Sequence, residues 1–201
     1  LIKLIIFDLG GVVLDVPSDI YVRYLSKASG LSESSIRQIV TEYSLVLESG
    51  NWGLKQFEQN VGKALGIGPA KVMWLTFFQK HAKLNEDVVK IAIDLSKIYK
   101  IAFLSNNESA RFNYAEKRIM DKIMHVFSYR FLSYRIGAVK PNKYIYDYAI
   151  KKTGLKPQEI LFIDDMPVNV IGARAAGMKA VQFTNARQLK LDLKKFGVKI
   201  R

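Results

Sequence analysis

Short apolar runs recur along this chain, and each stops abruptly at polar or charged residues. Leu4 to Phe7 ends at Asp8, Ile101 to Leu104 ends at Ser105-Asn106-Asn107, and Ile160 to Ile163 ends at Asp164-Asp165. Four-residue runs of this composition predict strands buried on both faces, as in a parallel sheet. A further strand is predicted near 180–183. From Asn85 to about Phe196 these runs alternate with stretches of helical spacing, the pattern of a parallel sheet flanked by helices.

The stretch from Pro17 to about Leu84 is different: it reads as wholly helical. Ser18-Asp19 predicts a cap before Ile20, Tyr21, Tyr24 and Leu25, and Gly30 a helix end. Ser32 to Ser35 predicts the next cap, leading into Ile36, Ile39, Val40, Tyr43 and Leu47. Gly50-Asn51-Trp52-Gly53 breaks that pattern, a third helix is predicted over 54–65, and a fourth over about 70–83. Trp74, Phe77 and Phe78 recur at helical spacing and are expected to pack inside this helical unit. The expected fold class is therefore α/β, with residues 1–15 and 85–201 forming the sheet domain and 16–84 an inserted helical domain.

Composition changes this picture little. The chain has 201 residues, long enough for one domain with an insertion. Without cysteine it has no disulfide, thiolate nucleophile or cysteine-ligated zinc. No apolar run approaches the roughly 20 residues that span a bilayer, so no membrane partner is expected. The first strand begins almost at once with no basic leader, so a cytoplasmic location is expected. The net charge of +13 is unusual. It suits attraction of anionic substrates or plain surface chemistry, and with no block of five like charges a nucleic-acid partner is not expected. Phe127, Tyr129, Phe131 and Tyr134, beside Arg130 and Arg135, alternate as in a strand rather than a base-stacking surface. His81 and His125 are isolated, which argues against zinc. The pattern specifies no oligomeric state.

The chemistry concentrates at the predicted strand ends, where open α/β sheets bind ligands. Asp8, followed by Gly10 and Gly11, is a candidate nucleophile or metal ligand, or merely a residue that starts a turn. Asp164 and Asp165 are adjacent carboxylates, which repel each other and call for a cation. Lys140-Pro141 follows Gly137 and precedes a helical pattern, with Pro141 expected at the first helical position.

In this order and spacing the four segments resemble the four motifs of the haloacid dehalogenase (HAD) superfamily, over essentially the whole chain. The resemblance implies a Rossmann-like core with an inserted helical cap, and a phosphatase working through an aspartyl-phosphate. It implies Asp8 as nucleophile, with Lys140 holding the Asp8 carboxylate and the phosphate together. Ser105 and the Asn106 backbone N–H would bind phosphate oxygens. Mg2+ would be held by Asp8, the Gly10 carbonyl, Asp165 directly and Asp164 in support; Asn169 stands where many relatives carry another acid. Glu48-Ser49-Gly50 resembles the turn between cap helices, near which Trp52 and Lys55 face either the substrate or ordinary cap surroundings. The implied substrate is a small phosphorylated metabolite, such as a sugar phosphate.

One departure matters. Most phosphatases of this superfamily carry a second Asp two residues after the nucleophile, as general acid and base. Here that position is Gly10. Such help is worth about 10²–10⁴ in rate. Three readings follow: a substrate with a good leaving group, a replacement acid such as Asp15 or a cap residue, or a protein that binds without turnover. The first matches the Phe-Asp-Leu-Gly start of some sugar-1-phosphate phosphatases. A 2-haloacid dehalogenase also lacks the second Asp, but the adjacent acids Asp164 and Asp165 favour a metal and hence a phosphatase.

Overall fold

The computed structural model describes residues 1–200. The run at the start of the chain, β1 (Leu4–Phe7), becomes the central strand of a five-stranded parallel sheet. It lies between β4 (Lys100–Ser105) and β6 (Ile160–Asp164), with β5 (Phe127–Leu132) and β7 (Lys179–Gln182) at the edges. All four residues of β1 are fully buried because both faces are covered. Ile5 and Phe7 face one apolar cluster, with Val88 and Leu95 of α5 (Glu86–Ser96), Phe112 of α6 (Ser109–Arg118) and Leu189 of α10 (Ala186–Lys195). Leu4 and Ile6 face the other, with Ile145 and Tyr146 of α8 (Lys143–Thr153) and Val170 of α9 (Pro167–Ala175).

The register fixes the site. Phe7 is level with Phe103 and with Ile163. The polar residues at the carboxyl ends of these three strands therefore emerge together at one edge, and the Asp8 N–H donates to the Ile163 carbonyl at 2.8 Å.

Between β2 (Leu14–Asp15) and β3 (Lys83–Leu84) the chain leaves the sheet and returns. These two short strands pair antiparallel, Leu14 opposite Leu84 and Asp15 opposite Lys83, so the excursion begins and ends at one point. It comprises α1 (Ser18–Ser29), α2 (Glu33–Glu48), α3 (Leu54–Ala64) and α4 (Trp74–His81). This helical cap has its own apolar cluster, including Tyr21, Val22, Leu25, Ile36, Leu47, Phe57 and Val61. Ser32 caps α2 by accepting from the Ser35 N–H, and Gly30 ends α1 in the left-handed conformation.

Several local expectations are corrected. Ser18 is the first residue of α1, not its side-chain cap, and Pro17 precedes it. The helix expected over 70–83 is broken: a 3-10 turn at Pro69–Lys71 leads to Met73 at φ 52°, and α4 starts only at Trp74. Its tail at Lys83 is instead strand, because pairing with Asp15 overrides the local pattern. Phe78 packs into the sheet domain's cluster, while Trp74 and Phe77 pack against the cap's. Pro141 does not start a helix; Asn142 caps α8 through the Tyr144 N–H, and Lys143 comes first.

The cap is tied to the sheet domain at the end of α2. The Glu48 carbonyl accepts at 2.6 Å from the Oγ of Ser133, the first residue of the short helix α7 (Ser133–Ile136), and the Glu48 carboxylate pairs with Arg111 at 2.6 Å. Immediately after, Gly50 has φ +84°, and a Cβ there would lie 2.7 Å from the Tyr134 carbonyl oxygen. Gly50→Ala is therefore expected to cost about 1–3 kcal/mol in stability by urea denaturation. Gly53→Ala, with nothing near its Cβ, should stay within about 0.5 kcal/mol of wild type.

Candidate active site

At the carboxyl edge of the sheet three acids converge. Asp8, Asp164 and Asp165 each offer a carboxylate oxygen within 4.8 Å of the others. Asp8 and Asp164 are buried, and between them stands the buried ammonium of Lys140. Its Nζ lies 2.9 Å from Asp8 Oδ1 and 2.6 Å from Asp164 Oδ2. The Lys140 stem also passes the Phe162 ring, with Nζ 5.5 Å from its centre.

Each of these groups is held by others. The Leu9 N–H donates to Asp8 Oδ1 at 2.6 Å. Asp164 Oδ1 accepts from the Met166 N–H and from Asn169 Nδ2, both at 2.9 Å. The Asn169 carbonyl in turn accepts from Tyr146 Oη at 2.9 Å. The Asn106 side chain clamps the backbone at Lys140: its Oδ1 accepts from the Lys140 N–H at 2.7 Å, and its Nδ2 donates to the Lys140 carbonyl at 3.0 Å. Ser105 lies beside it at the end of β4, 2% exposed.

The electrostatics follow from burial. Burial pushes the Asp8 carboxyl well above the usual carboxylate range; Lys140 opposes this, and the neighbouring Asp164 and Asp165 add to it. Asp165 is raised too, by burial and then by Asp164. Burial works against the charge on Lys140, yet Asp8 and Asp164 outweigh it and raise its pKa.

This donor set fits a divalent cation. Three acids share one lysine, so two negative charges stand uncompensated in a low-dielectric edge. Mg2+ takes carboxylate and carbonyl oxygens at 2.0–2.1 Å, which places ligands about 3–4 Å apart. Asp164 already serves Lys140, Asn169 and the Met166 N–H, whereas Asp165 is only partly buried and more available. The Gly10-Gly11 loop presses against Asp165, and a Cβ at Gly11 (φ +77°) would overlap its carboxylate. Gly10 is unlike Gly11: it lies outside the left-handed region, and a Cβ there would meet nothing within 4 Å.

The structure thus brings Asp8, Gly10, Ser105, Asn106, Lys140, Asp164 and Asp165 to one edge, with Asn169 behind Asp164. Asp15 instead pairs with Lys83 at 3.6 Å in the cap connection. Trp52 packs on Tyr43, ring centres 5.7 Å apart, and Lys55 is exposed on the cap. His81 stacks on Phe77, and His125 sits in a 3-10 turn over Asp121–Val126. Sequence reasoning passed over Arg111, which joins Glu48 to the first turn of α6 and stacks 4.3 Å over Trp74. It also passed over Glu108, whose carboxylate caps α6, and Ser133, which accepts from the Asn107 N–H. Only the Glu108 cap had a local signal, an acid just before a helix; the partners of Arg111 and Ser133 lie far away in the chain.

A sheet that delivers a carboxylate, a hydroxyl-amide pair, a lysine and an acid pair to one edge, under an inserted helical cap, defines a hydrolase built around an acidic centre. The chain belongs to the haloacid dehalogenase-like hydrolase family, which it matches over residues 2–177. It is 28% identical over 208 residues to a D-ribitol-5-phosphate phosphatase of Bacteroides thetaiotaomicron, covering 96% of this chain and 97% of that protein. In fold it is similar to a HAD family enzyme of the same organism solved with magnesium and inorganic phosphate, with TM-score 0.75, 20% identity, and 91% and 94% of the two chains covered. It is also similar in fold to the L-2-haloacid dehalogenase of Xanthobacter autotrophicus carrying covalently bound chloropropionic acid, with TM-score 0.68, 19% identity, and 100% and 85% covered.

The raised acids set a pH dependence of stability in the metal-free protein. A folded carboxyl pKa above its unfolded value means the folded state binds more protons in between. Stability is then highest below that window and falls as pH rises through it. For Asp8 the window opens at 3.8 and closes well above it. In chelator, the urea midpoint should fall as pH rises through that window. Asp8→Asn should flatten the fall, and a midpoint equally pH-dependent in both proteins would refute the assignment.

Proposed function

We propose that this chain is a Mg2+-dependent phosphatase of small phosphorylated metabolites, working through an aspartyl-phosphate on Asp8. The observation that carries it is the cluster of Asp8, Asp164 and Asp165 around one buried lysine at the strand ends. Full-length similarity to a sugar-alcohol phosphate phosphatase supports the same reaction.

Phosphoryl transfer requires an in-line nucleophile, charge neutralisation and positioning. Among the described residues the Asp8 carboxylate is held at Oδ1, by Lys140 and the Leu9 N–H, which fix its orientation and leave Oδ2 for other work. Lys140 neutralises Asp8 and one oxygen of the incoming phosphate, as its buried position between two acids requires a charged form. Ser105 Oγ and the Asn106 N–H bind the phosphate's other oxygens, while the Asn106 side chain keeps Lys140 in place. Asp8, Asp165 and the Gly10 carbonyl would hold Mg2+, with Asp164 supporting; the ion would balance the acids and draw charge from the phosphate oxygens. Residues 16–84 serve as the cap, joined through the β2–β3 pair, and exclude water while phosphate is transferred.

The dehalogenase reading keeps one supporting fact, the absent acid at Gly10. Against it, a haloacid carboxylate would enter beside Asp165, whose charge is not matched by any lysine or arginine pairing among the described residues.

Asp8→Asn is expected to lower turnover of p-nitrophenyl phosphate by about 10⁴-fold or more with the circular dichroism spectrum unchanged. Asp165→Ala should abolish the Mg2+ response. Full activity in excess chelator, or chloride release from 2-chloropropionate, would overturn the phosphatase reading. Because Gly10 has room and an ordinary φ, Gly10→Asp should fold normally. It should raise rates on alkyl phosphates by up to about 10² while changing acetyl phosphate little.

A further inference from the structure

Beside the acidic edge, between cap and sheet domain, lies a cavity of about 350 Å³. Met166, the residue after Asp165, and Arg111 of α6 form its floor; Val16 and Ser18 border it at the cap connection. Its walls come from the cap: Tyr21, Val22, Val40, Trp74, Phe77 and Phe78. Met166 links the cavity to Asp165 along the chain, so a leaving group on a phosphate at Asp8 would extend toward this space.

The lining is poor in hydrogen-bond partners for a polyol. A buried hydroxyl without a partner is costly, so a sugar or sugar alcohol needs a donor or acceptor for nearly every oxygen. The Tyr21 hydroxyl is already donated to the Val72 carbonyl at 2.7 Å. Arg111 is paired with Glu48 through Nη2 at 2.6 Å, its guanidinium carbon 4.3 Å from the centre of the Trp74 ring; its Nε is buried without a hydrogen-bond partner, and Arg37 is paired with Asp19 at 2.8 Å. Ser18 and Thr41 are the remaining hydroxyls of the lining. An aromatic wall instead favours a flat apolar group, which stacks or packs edge-on without hydrogen bonds. An apolar cavity of roughly 150 Å³ already holds benzene, so this one accommodates a two-ring group.

A second, independent observation agrees. Position 10 carries no acid, and the space beside it is open. An alkoxide leaving group needs that proton; a phenolate, far less basic, departs without it.

We propose that the preferred substrates of this site are aryl phosphates, whose ring fills the cavity beneath Tyr21, Trp74 and Phe77. This rests on the phosphatase reading above. Asp8 oxygen bonds to phosphorus as the phosphorus–oxygen bond to the ring breaks. The bonding pair leaves on the phenolate oxygen, which takes its proton from solvent water. A second water then attacks the phosphorus of the aspartyl-phosphate, freeing Asp8 and inorganic phosphate and releasing its proton to solvent.

The test uses the Mg2+-loaded wild-type protein with three substrates: 2-naphthyl phosphate, ribitol 5-phosphate and acetyl phosphate. The expected result is a kcat/KM for 2-naphthyl phosphate at least about 100-fold above ribitol 5-phosphate. Thr41 is exposed on α2 and lines the cavity, so Thr41→Trp fills the space from outside the catalytic groups. That variant should raise KM for 2-naphthyl phosphate about 10-fold or more and leave acetyl phosphate turnover unchanged. Ribitol 5-phosphate matching or exceeding 2-naphthyl phosphate overturns the proposal, as does a Thr41→Trp protein with unchanged naphthyl KM. Failure to hydrolyse acetyl phosphate as well would instead overturn the phosphatase reading itself.

Discussion

The ammonium of Lys140, sealed between Asp8 and Asp164, is the contact on which the rest of the site depends. Removing one partner of a buried pair is typically far worse than never having built it, by about 3–5 kcal/mol. Here one lysine serves two acids, so its loss leaves both uncompensated in a dry sheet edge. The fold invests accordingly in placing it. Asn106, from the end of β4, takes both polar groups of the Lys140 backbone, and Asn169, anchored by Tyr146, steadies Asp164 from behind. Positioning therefore comes from three different segments, each tied to the others by amide side chains rather than by charge alone.

The same arrangement leaves an imbalance that only a ligand removes. Lys140 compensates one of three acids, and burial holds Asp8 and Asp165 above their ordinary values. In the metal-free site burial favours the protonated carboxyl, which is the wrong state for the nucleophile proposed at Asp8. A divalent cation favours the ionised form of the same groups. Cation binding and ionisation of these carboxyls are thus one equilibrium seen from two sides.

Much of this was legible in the sequence because strand ends advertise themselves. A run such as Ile160 to Ile163 has to be buried, so the charges that follow, Asp164 and Asp165, have to lie at an edge. Parallel pairing then puts Asp8 at the same edge without further information. The helical stretch was legible for the same reason, as periodicity without strand runs. What was not legible depended on distant partners. Nothing near Lys83 in the chain says that Asp15 will draw it into a strand, and nothing near Arg111 announces Glu48. Trp74, Phe77 and Phe78 look alike as a periodic trio, yet two serve the cap cluster and one the sheet's. The Asn106 amide was read for its backbone N–H, while its side chain turned out to hold Lys140.

The Arg111–Glu48 pair shows how such distant contacts bear on function. Its side chains are each 12% exposed, and burial raises Glu48 despite the arginine beside it. Taken as a stabilising interaction it is worth little, since desolvation of both charges offsets their attraction. Its position gives it another use. It spans from the end of α2 to the first turn of α6, which follows the end of β4 that carries Ser105, and it lies over a cavity wall at Trp74. With the Ser133 bond to the same residue, it sets where the cap sits over the acidic edge. The Glu48 pairing draws Arg111 Nη2 away from the cavity, and much of the remaining lining is aromatic: Tyr21, Trp74, Phe77 and Phe78. The residue that docks the cap thereby also decides what kind of molecule fits beneath it.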